Sequence, residues 1–261
     1  MNGRLAARRV RAHAHRLLKR AGYTVVPTAL PGNLTNPLPI ELAAQRVVQN
    51  TVLRNRRVNC VLDVGAHAGS YAGQLRQAGY KGEIVSFEPV ERSFRELSAL
   101  AEKDPRWRAH RLALGSTPGE GRLHVTREPN FSTFLQPNRF SLAWYAGSVV
   151  EHDEVVEVQR LDAIFDEVTA HIPQPRALLK TDTQGFDLEV IKGARGCLDR
   201  IVAMQVELSV RAIYEGAPGW VEVLSSLEEL GFHPAHFSTA NRDANFGVVE
   251  FDCILVPRAE P

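Results

Sequence analysis

The sequence predicts an α/β protein built on a doubly wound, Rossmann-like sheet that is mostly parallel with an antiparallel last strand. Three observations carry this. Short apolar runs ending in glycine, proline or an acid alternate with helical-period segments, and strands separated by helices pair in parallel because parallel neighbours need a crossover. A Gly-x-x-x-Gly turn, Gly65 to Gly69, closes the first such run. The last two apolar runs follow one another without a helix between them, which lets the final strand enter antiparallel.

In chain order, the first segment carries Arg4, Arg8, Arg9, Arg11, Arg16, Lys19 and Arg20 with no acid before Glu41. It reads as a basic helix, either a solvated terminal segment or a weak membrane-surface contact. Pro27, Pro31, Gly32, Asn33, Pro37 and Pro39 follow, and so many fixed φ angles and missing donors argue against regular structure and for a linker or an extended arm packed on the domain. Residues 1–40 are therefore separated from one folded domain over residues 41–261.

From Glu41 a helix is expected with Leu42, Val47, Val48, Val52 and Leu53 near helical spacing, ending in Arg54, Arg56 and Arg57. The first strand is 58–64 and its helix 70–78; the second strand, 83–87, stops at Pro89 before a helix through Phe94, Leu97 and Leu100. A later strand at 177–181 leads into a helix over 186–198, with Leu188, Ile191, Ala194 and Leu198 on one face. A strand at 203–208, a helix through Trp220, Val223, Leu224, Leu227 and Leu230, and strands at 233–237 and 248–256 complete the chain. The stretch Phe131 to Pro137, with Trp144 and Tyr145 beyond it, interrupts the alternation and is either a lid over an acceptor or a packed surface excursion.

Composition narrows the function classes. With 261 residues, 44% hydrophobic and 23% charged, the chain is ordinary for a globular protein. The balance of 31 basic against 30 acidic side chains removes any whole-protein electrostatic argument for nucleic acid or anionic lipid. Cys60, Cys197 and Cys253 give neither a disulfide framework nor a metal-ligand spacing and read as buried thiols in a reducing compartment. With no apolar run long enough to span a bilayer and no apolar core of a secretory signal, the expected address is cytoplasmic. Nothing in the sequence speaks to oligomeric state.

The segment Asp63-Val64-Gly65-Ala66-His67-Ala68-Gly69-Ser70 lies at the carboxyl end of the first strand, the edge where open α/β sheets bind ligands. Its glycines allow a tight turn and close backbone approach. The spacing is not the Gly-x-Gly-x-x-Gly of a dinucleotide site, and an acid at Asp63 would repel a pyrophosphate while suiting the methionine ammonium of S-adenosylmethionine or its hydrogen-bond network. Glu88 ends the second strand, where a carboxylate can accept from both ribose hydroxyls. Ala113 and Leu114 follow the third strand and could flank adenine. The candidate cofactor-binding set is thus Asp63, Gly65, His67, Gly69, Ser70, Glu88, Ala113 and Leu114, for S-adenosylmethionine. A nicotinamide oxidoreductase would use Glu88 the same way but should show the missing glycine fingerprint.

These residues resemble the FkbM-type methyltransferases. The matching segments are Val61 to Gly69, Phe87-Glu88-Pro89, Ala113-Leu114-Gly115 and, most specific, the stretch from Leu179-Lys180-Thr181-Asp182-Thr183-Gln184-Gly185-Phe186-Asp187 on to Ala194; Glu207-Leu208-Ser209, Tyr214-Glu215-Gly216, Gly231-Phe232 and Asp252 are also similar. The likeness runs from about Val58 to Val256 and leaves the basic N-terminus uncovered. His67 stands where the family pattern has asparagine. The resemblance implies a class I methyltransferase sheet, a catalytic domain over 41–261, and methyl transfer from S-adenosylmethionine to a hydroxyl of a sugar, glycan or glycosylated natural product.

An aliphatic hydroxyl is a poor nucleophile at neutral pH, so a base is sought near the carboxyl ends of the central strands. Asp182 is the first candidate, as base or acceptor-hydroxyl binder, and Glu207 on the neighbouring strand the second. Two acids could instead hold Mg²⁺, a reading disfavoured because no further ligand cluster is evident. Alternatively Asp182 caps the helix that follows. Lys180, Asp187 and Glu189 are assigned to organising the turn and helix face, and His152, His233 and His236 lack evident partners. The acceptor is expected to be a small molecule or glycan, with no nucleic acid, although the basic N-terminus keeps an RNA-modifying enzyme in view. A degenerate scaffold would show a damaged cofactor turn, whereas Asp63, Gly65, Gly69 and Glu88 are all present.

Overall fold

In a computed structural model of the protein, the described residues are 38–258 together with residue 18. The basic helix and linker expected over 1–40 fall almost wholly outside them. Helix α1 (Pro39–Asn55) begins with proline in its first turn, where the missing N–H costs nothing, and the Glu41 carboxylate accepts the Leu38 N–H at 2.7 Å. Its expected apolar face is only half present: Val52 and Leu53 are buried, but Leu42 and Val47 are exposed. The stripe facing the sheet is polar instead. Glu41, Gln45 and Gln49 recur every four residues and meet Arg242 at 2.8 Å, Asp252 at 2.7 Å and Gln205 at 3.0 Å.

The chain continues as β1 (Cys60–Val64), α2 (Ser70–Gln77), β2 (Glu83–Phe87), α3 (Glu91–Ala101), β3 (Trp107–His110), β4 (Ala113–Leu114), β5 (Gly119–Thr126), α4 (Arg139–Trp144), β6 (Val150–Gln159), α5 (Leu161–Val168), β7 (Ala177–Thr181), α6 (Asp187–Lys192), β8 (Ile201–Ser209), α7 (Trp220–Glu229), β9 (Phe232–Arg242) and β10 (Val248–Pro257). Seven strands form one sheet in the order β3-β2-β1-β7-β8-β10-β9. Every pair is parallel except those made by β10, which runs antiparallel to both β8 and β9, as expected of the last strand. Strand order reverses between β1 and β7, so the crevice beyond their carboxyl ends is the topological switch point.

Strands β5 and β6, unexpected from the sequence, join β4 in a second sheet of order β4-β6-β5. They were hidden because only one face is buried. Leu123 and Val125 on β5, and Val156 and Val158 on β6, alternate with charged residues, so neither strand forms an apolar run. The helix expected over 186–198 is also corrected. It stops at Lys192 and a 3₁₀ segment, Arg195–Arg200, follows. Gly193 packs so closely on the Gly115 carbonyl that no Cβ would fit, and the Gly196 N–H is taken by the Asp162 carboxylate at 3.0 Å, away from helical pairing.

Apolar clusters cover the two sheet faces. Leu62, Leu179, Phe165, Ile191 and Leu227 fill one, and Val61, Leu75, Ile84, Leu97 and Leu178 the other. All three cysteines are buried and free.

Candidate active site

A cleft opens at the switch point, the edge where open α/β sheets bind their ligands. Its floor is Val64, Gly65 and His67 after β1 and Phe87 and Glu88 after β2; its far side is Asp182 and Thr183 after β7. Leu112, Ala113, Leu114, Phe134 and Phe186 supply an apolar wall, the two phenylalanine rings lying 4.8 Å apart.

The turn after β1 adopts left-handed backbone three times, at Gly65 (φ 70°), His67 (φ 48°) and Gly69 (φ 82°). At Gly65 a Cβ would overlap the Asp182 carbonyl oxygen, so glycine is required by both conformation and space. His67 is explained by the same geometry. Asparagine and histidine are among the few non-glycine residues enriched at positive φ, so histidine can replace asparagine here without changing the turn. Burial lowers the His67 pKa, against the pull of Glu96 and Asp182.

Glu88 is 5% exposed, and its Oε2 and Oε1 accept the backbone N–H of His67 (2.7 Å) and Val90 (2.9 Å). These bonds lock the carboxylate against the turn while leaving lone pairs toward the cleft. Burial pushes its pKa up to about 7, against the pull of those two amides. Gly69 stands at the N-cap of α2 against Trp107, and Ser70 is exposed outside the cleft wall.

Asp63 is fully buried and does not line the cleft, so direct contact with a bound amino-acid end gives way to the alternative of a supporting network. Ser86, Asp63, Lys180 and Gln205 stand directly opposite one another on β2, β1, β7 and β8, a polar row crossing the buried sheet. The Lys180 ammonium lies 3.2 Å from Asp63 and 3.5 Å from Asp182 and donates to the Gly65 carbonyl at 3.1 Å. Burial opposes its charge, but Asp182 and Asp63 more than offset this and its pKa stands above the ordinary lysine value. Lys180 thus joins the glycine turn to Asp182, a larger part than its expected service to the turn alone.

Asp182 lines the cleft, with its side chain 40% exposed. The helix-cap role considered for it is not found: α6 begins at Asp187, and it is the Asp187 carboxylate that accepts the Thr183 N–H at 3.2 Å. Glu207 is not among the cleft-lining residues. It lies behind Gln184, whose Nε2 donates to Glu207 at 2.8 Å and to Asp182 at 3.0 Å. Burial, with Glu250 close by, drives the Glu207 carboxyl well above the usual range. Gln184 and its partner Tyr214 belong to stretches singled out in the sequence, yet nothing there distinguished an amide that bridges two acids from an ordinary loop residue.

The interrupting segment divides in two. Ser132, Thr133 and Phe134 line the cleft, beside Pro129 and Asn130 just before the segment, whereas Trp144 and Tyr145 pack with Phe131 away from it, Trp144 donating to the Arg242 carbonyl at 3.2 Å. His152, His233 and His236 also lie outside the cleft. No group of three or more metal-ligating side chains is gathered among the described residues. None of their helices is long and apolar enough to cross a membrane.

A family model described as the methyltransferase FkbM domain matches residues 63–234. No curated protein matches the chain. Among solved structures, Aeropyrum pernix fibrillarin with bound S-adenosyl-L-methionine is similar at 13% identity and a TM-score of 0.43, covering 76% of this chain and 66% of its own. Magnesium protoporphyrin IX methyltransferase from Synechocystis is similar at 10% identity and a TM-score of 0.44, covering 89% of this chain and 87% of its own.

Proposed function

The chain belongs to the FkbM methyltransferase family and is an S-adenosylmethionine-dependent methyltransferase, and from that premise we propose that it methylates a hydroxyl oxygen of a sugar, glycan or glycosylated natural product. The observation that carries this reading is Asp182: a partly exposed carboxylate opening onto the same cleft as the glycine turn and Glu88.

The residues present suit the donor. The turn at Gly65 has no room for a side chain and brings bare backbone to the cleft. Glu88 would accept from the ribose hydroxyls, Ala113, Leu114 and Phe134 would flank the adenine, and the Gly65 to Gly69 backbone would meet the amino-acid end. The bound donor supplies a methyl group already activated on a sulfonium, so the protein needs to hold the acceptor in place and take one proton. Asp182 takes the hydroxyl proton, Lys180 holds the carboxylate from behind, and the apolar wall keeps water from competing.

Two acids opening onto the cleft, Glu88 and Asp182, make it a poor seat for a phosphate backbone and favour a neutral, hydroxyl-rich acceptor over nucleic acid. Three buried free thiols support placing the reaction in the cytoplasm. The test is calorimetric titration with S-adenosylmethionine and S-adenosylhomocysteine, with NAD as control, followed by a screen of methyl glycosides with methyl-labelled donor. Adenosyl binding with label entering an ether is expected. Label entering nitrogen or carbon, or only RNA, would overturn the hydroxyl reading.

A further inference from the structure

The side chain of Gln184 sits where three parts of the site meet. It is 6% exposed and lies on a residue with φ 56°, the left-handed region that side-chain-bearing residues rarely adopt. Its two amide protons go to two different acids, Asp182 and Glu207, and its Oε1 accepts from the Tyr214 hydroxyl at 2.7 Å. That pattern favours this orientation of the amide, because the reversed one would set its oxygen against the Asp182 carboxylate. Tyr214 also lies 3.0 Å from the Phe131 carbonyl, and the Thr133 hydroxyl donates to the Gln184 carbonyl at 2.9 Å, so the cleft-lining segment is fastened to the same residue.

Asp182 needs such an anchor. It is half open to solvent, and its only other side-chain partner among the described residues is Lys180 at 3.5 Å. Gln184 holds Oδ1 and Lys180 approaches Oδ2; without the amide, one long ion pair would remain and the carboxylate could swing out of the cleft.

We propose that Gln184 is a positioning residue for methyl transfer: its amide, oriented by Tyr214, fixes the Asp182 carboxylate toward the acceptor and ties it to the segment that walls the cleft. This rests on the reading of Asp182 as base. Gln184 itself exchanges no proton in the reaction, and Glu207 serves as the fixed acceptor that holds the amide from the far side.

The experiment compares wild type, Gln184→Leu, Tyr214→Phe, Asp182→Asn and the Gln184→Leu/Asp182→Asn double variant, with S-adenosylhomocysteine bound for the structures only. Crystal structures of the first three report the Asp182 rotamer, and methyl-labelled donor with a panel of methyl hexosides and 6-deoxyhexosides reports turnover. In Gln184→Leu, Asp182 should leave its wild-type position, kcat should fall about 10- to 100-fold, and S-adenosylhomocysteine affinity should stay within about twofold. Tyr214→Phe, which removes one hydroxyl and keeps the core filled, should give a smaller effect in the same direction and serves if the leucine variant does not fold. In an Asp182→Asn background the leucine change should have no further effect on turnover. An unmoved Asp182 in both variants, equal loss of turnover and donor affinity, or a full leucine effect on top of Asp182→Asn would overturn the proposal. Wild-type turnover by Asp182→Asn itself would defeat the base reading, and the inference with it, whereas a dead Asp182→Asn beside a normal Gln184→Leu defeats the inference alone.

Discussion

Asp63 and Lys180 face each other in register on adjacent strands, with 3.2 Å between carboxylate and ammonium and almost no solvent at either. A buried pair of this kind contributes little over an apolar pair of the same size, but breaking it strands an uncompensated charge.

Lys180→Met should therefore destabilise the protein by about 3–5 kcal/mol, and adding Asp63→Asn should recover much of that loss. Chemical denaturation of the two single variants and the double variant measures the coupling. Additive losses would show that the two side chains do not depend on each other.

Glu88 offers a second test, because burial lifts its pKa to about 7 in the free protein while a ribose needs the ionised form to accept its hydroxyls. Below about pH 7 binding must first remove a proton, so S-adenosylhomocysteine affinity should climb by up to about tenfold per pH unit and then level off. Calorimetry from pH 5.5 to 8.5 gives the curve. Glu88→Gln should weaken binding and flatten it, and an equally steep rise in that variant would place the titration elsewhere.

Much of this architecture was legible in the sequence because the parallel core advertises itself. Strands β1, β2 and β7 are buried on both faces and appear as short apolar runs, and the Gly65 turn and Glu88 mark the ends of two of them. The second sheet was not legible, since β6 reads Val-Glu-His-Asp-Glu-Val-Val-Glu-Val-Gln and buries only alternate residues. Nor was the polar face of α1, where Gln45 and Gln49 answer Asp252 and Gln205, residues about two hundred and about one hundred and fifty positions away. Within the site, Asp182 was recognisable by its place at a strand end. The partners that hold it, Lys180 and Gln184, gain their meaning only from the strand register and the turn, which no local pattern encodes.

Gly65→Ala tests the turn directly. The new Cβ would need positive φ and would overlap the Asp182 carbonyl, so either β1 and β7 separate at this end or the turn refolds. Strain of about 1–3 kcal/mol is the least expected, with donor binding lost before the fold is. Thermal denaturation with and without S-adenosylhomocysteine separates the two: the variant should lose the ligand-induced rise in Tm while remaining folded. A preserved ligand shift would mean that the turn tolerates a side chain and does not set the approach to the donor.

The acids on β8 and β10 make the last prediction. Glu250 is 1% exposed, accepts from Asn241 at 2.9 Å, and has its pKa raised to about 7 by burial; Asp252 and Asp187 are raised to about 6 by the same cause. A carboxyl whose folded pKa exceeds its unfolded value holds more protons in the native state, so stability falls as pH rises from the unfolded pKa, near 4.5 for glutamate, to the folded one. Carboxylates lowered by hydrogen-bonded partners, such as Asp162 beside Arg160 and Asp104 beside Arg76, act oppositely and lose their contribution only in more acid solution. Ligand-free protein should thus be most stable near pH 5 and weaken toward pH 8. Glu250→Gln, neutral at every pH, should raise Tm at pH 8, change it little at pH 5, and flatten the slope between. Equal shifts at both pH values would mean that Glu250 is not the group taking up the proton, and the source of the slope would then be sought at Glu207, where burial and the neighbouring Glu250 push in the same direction.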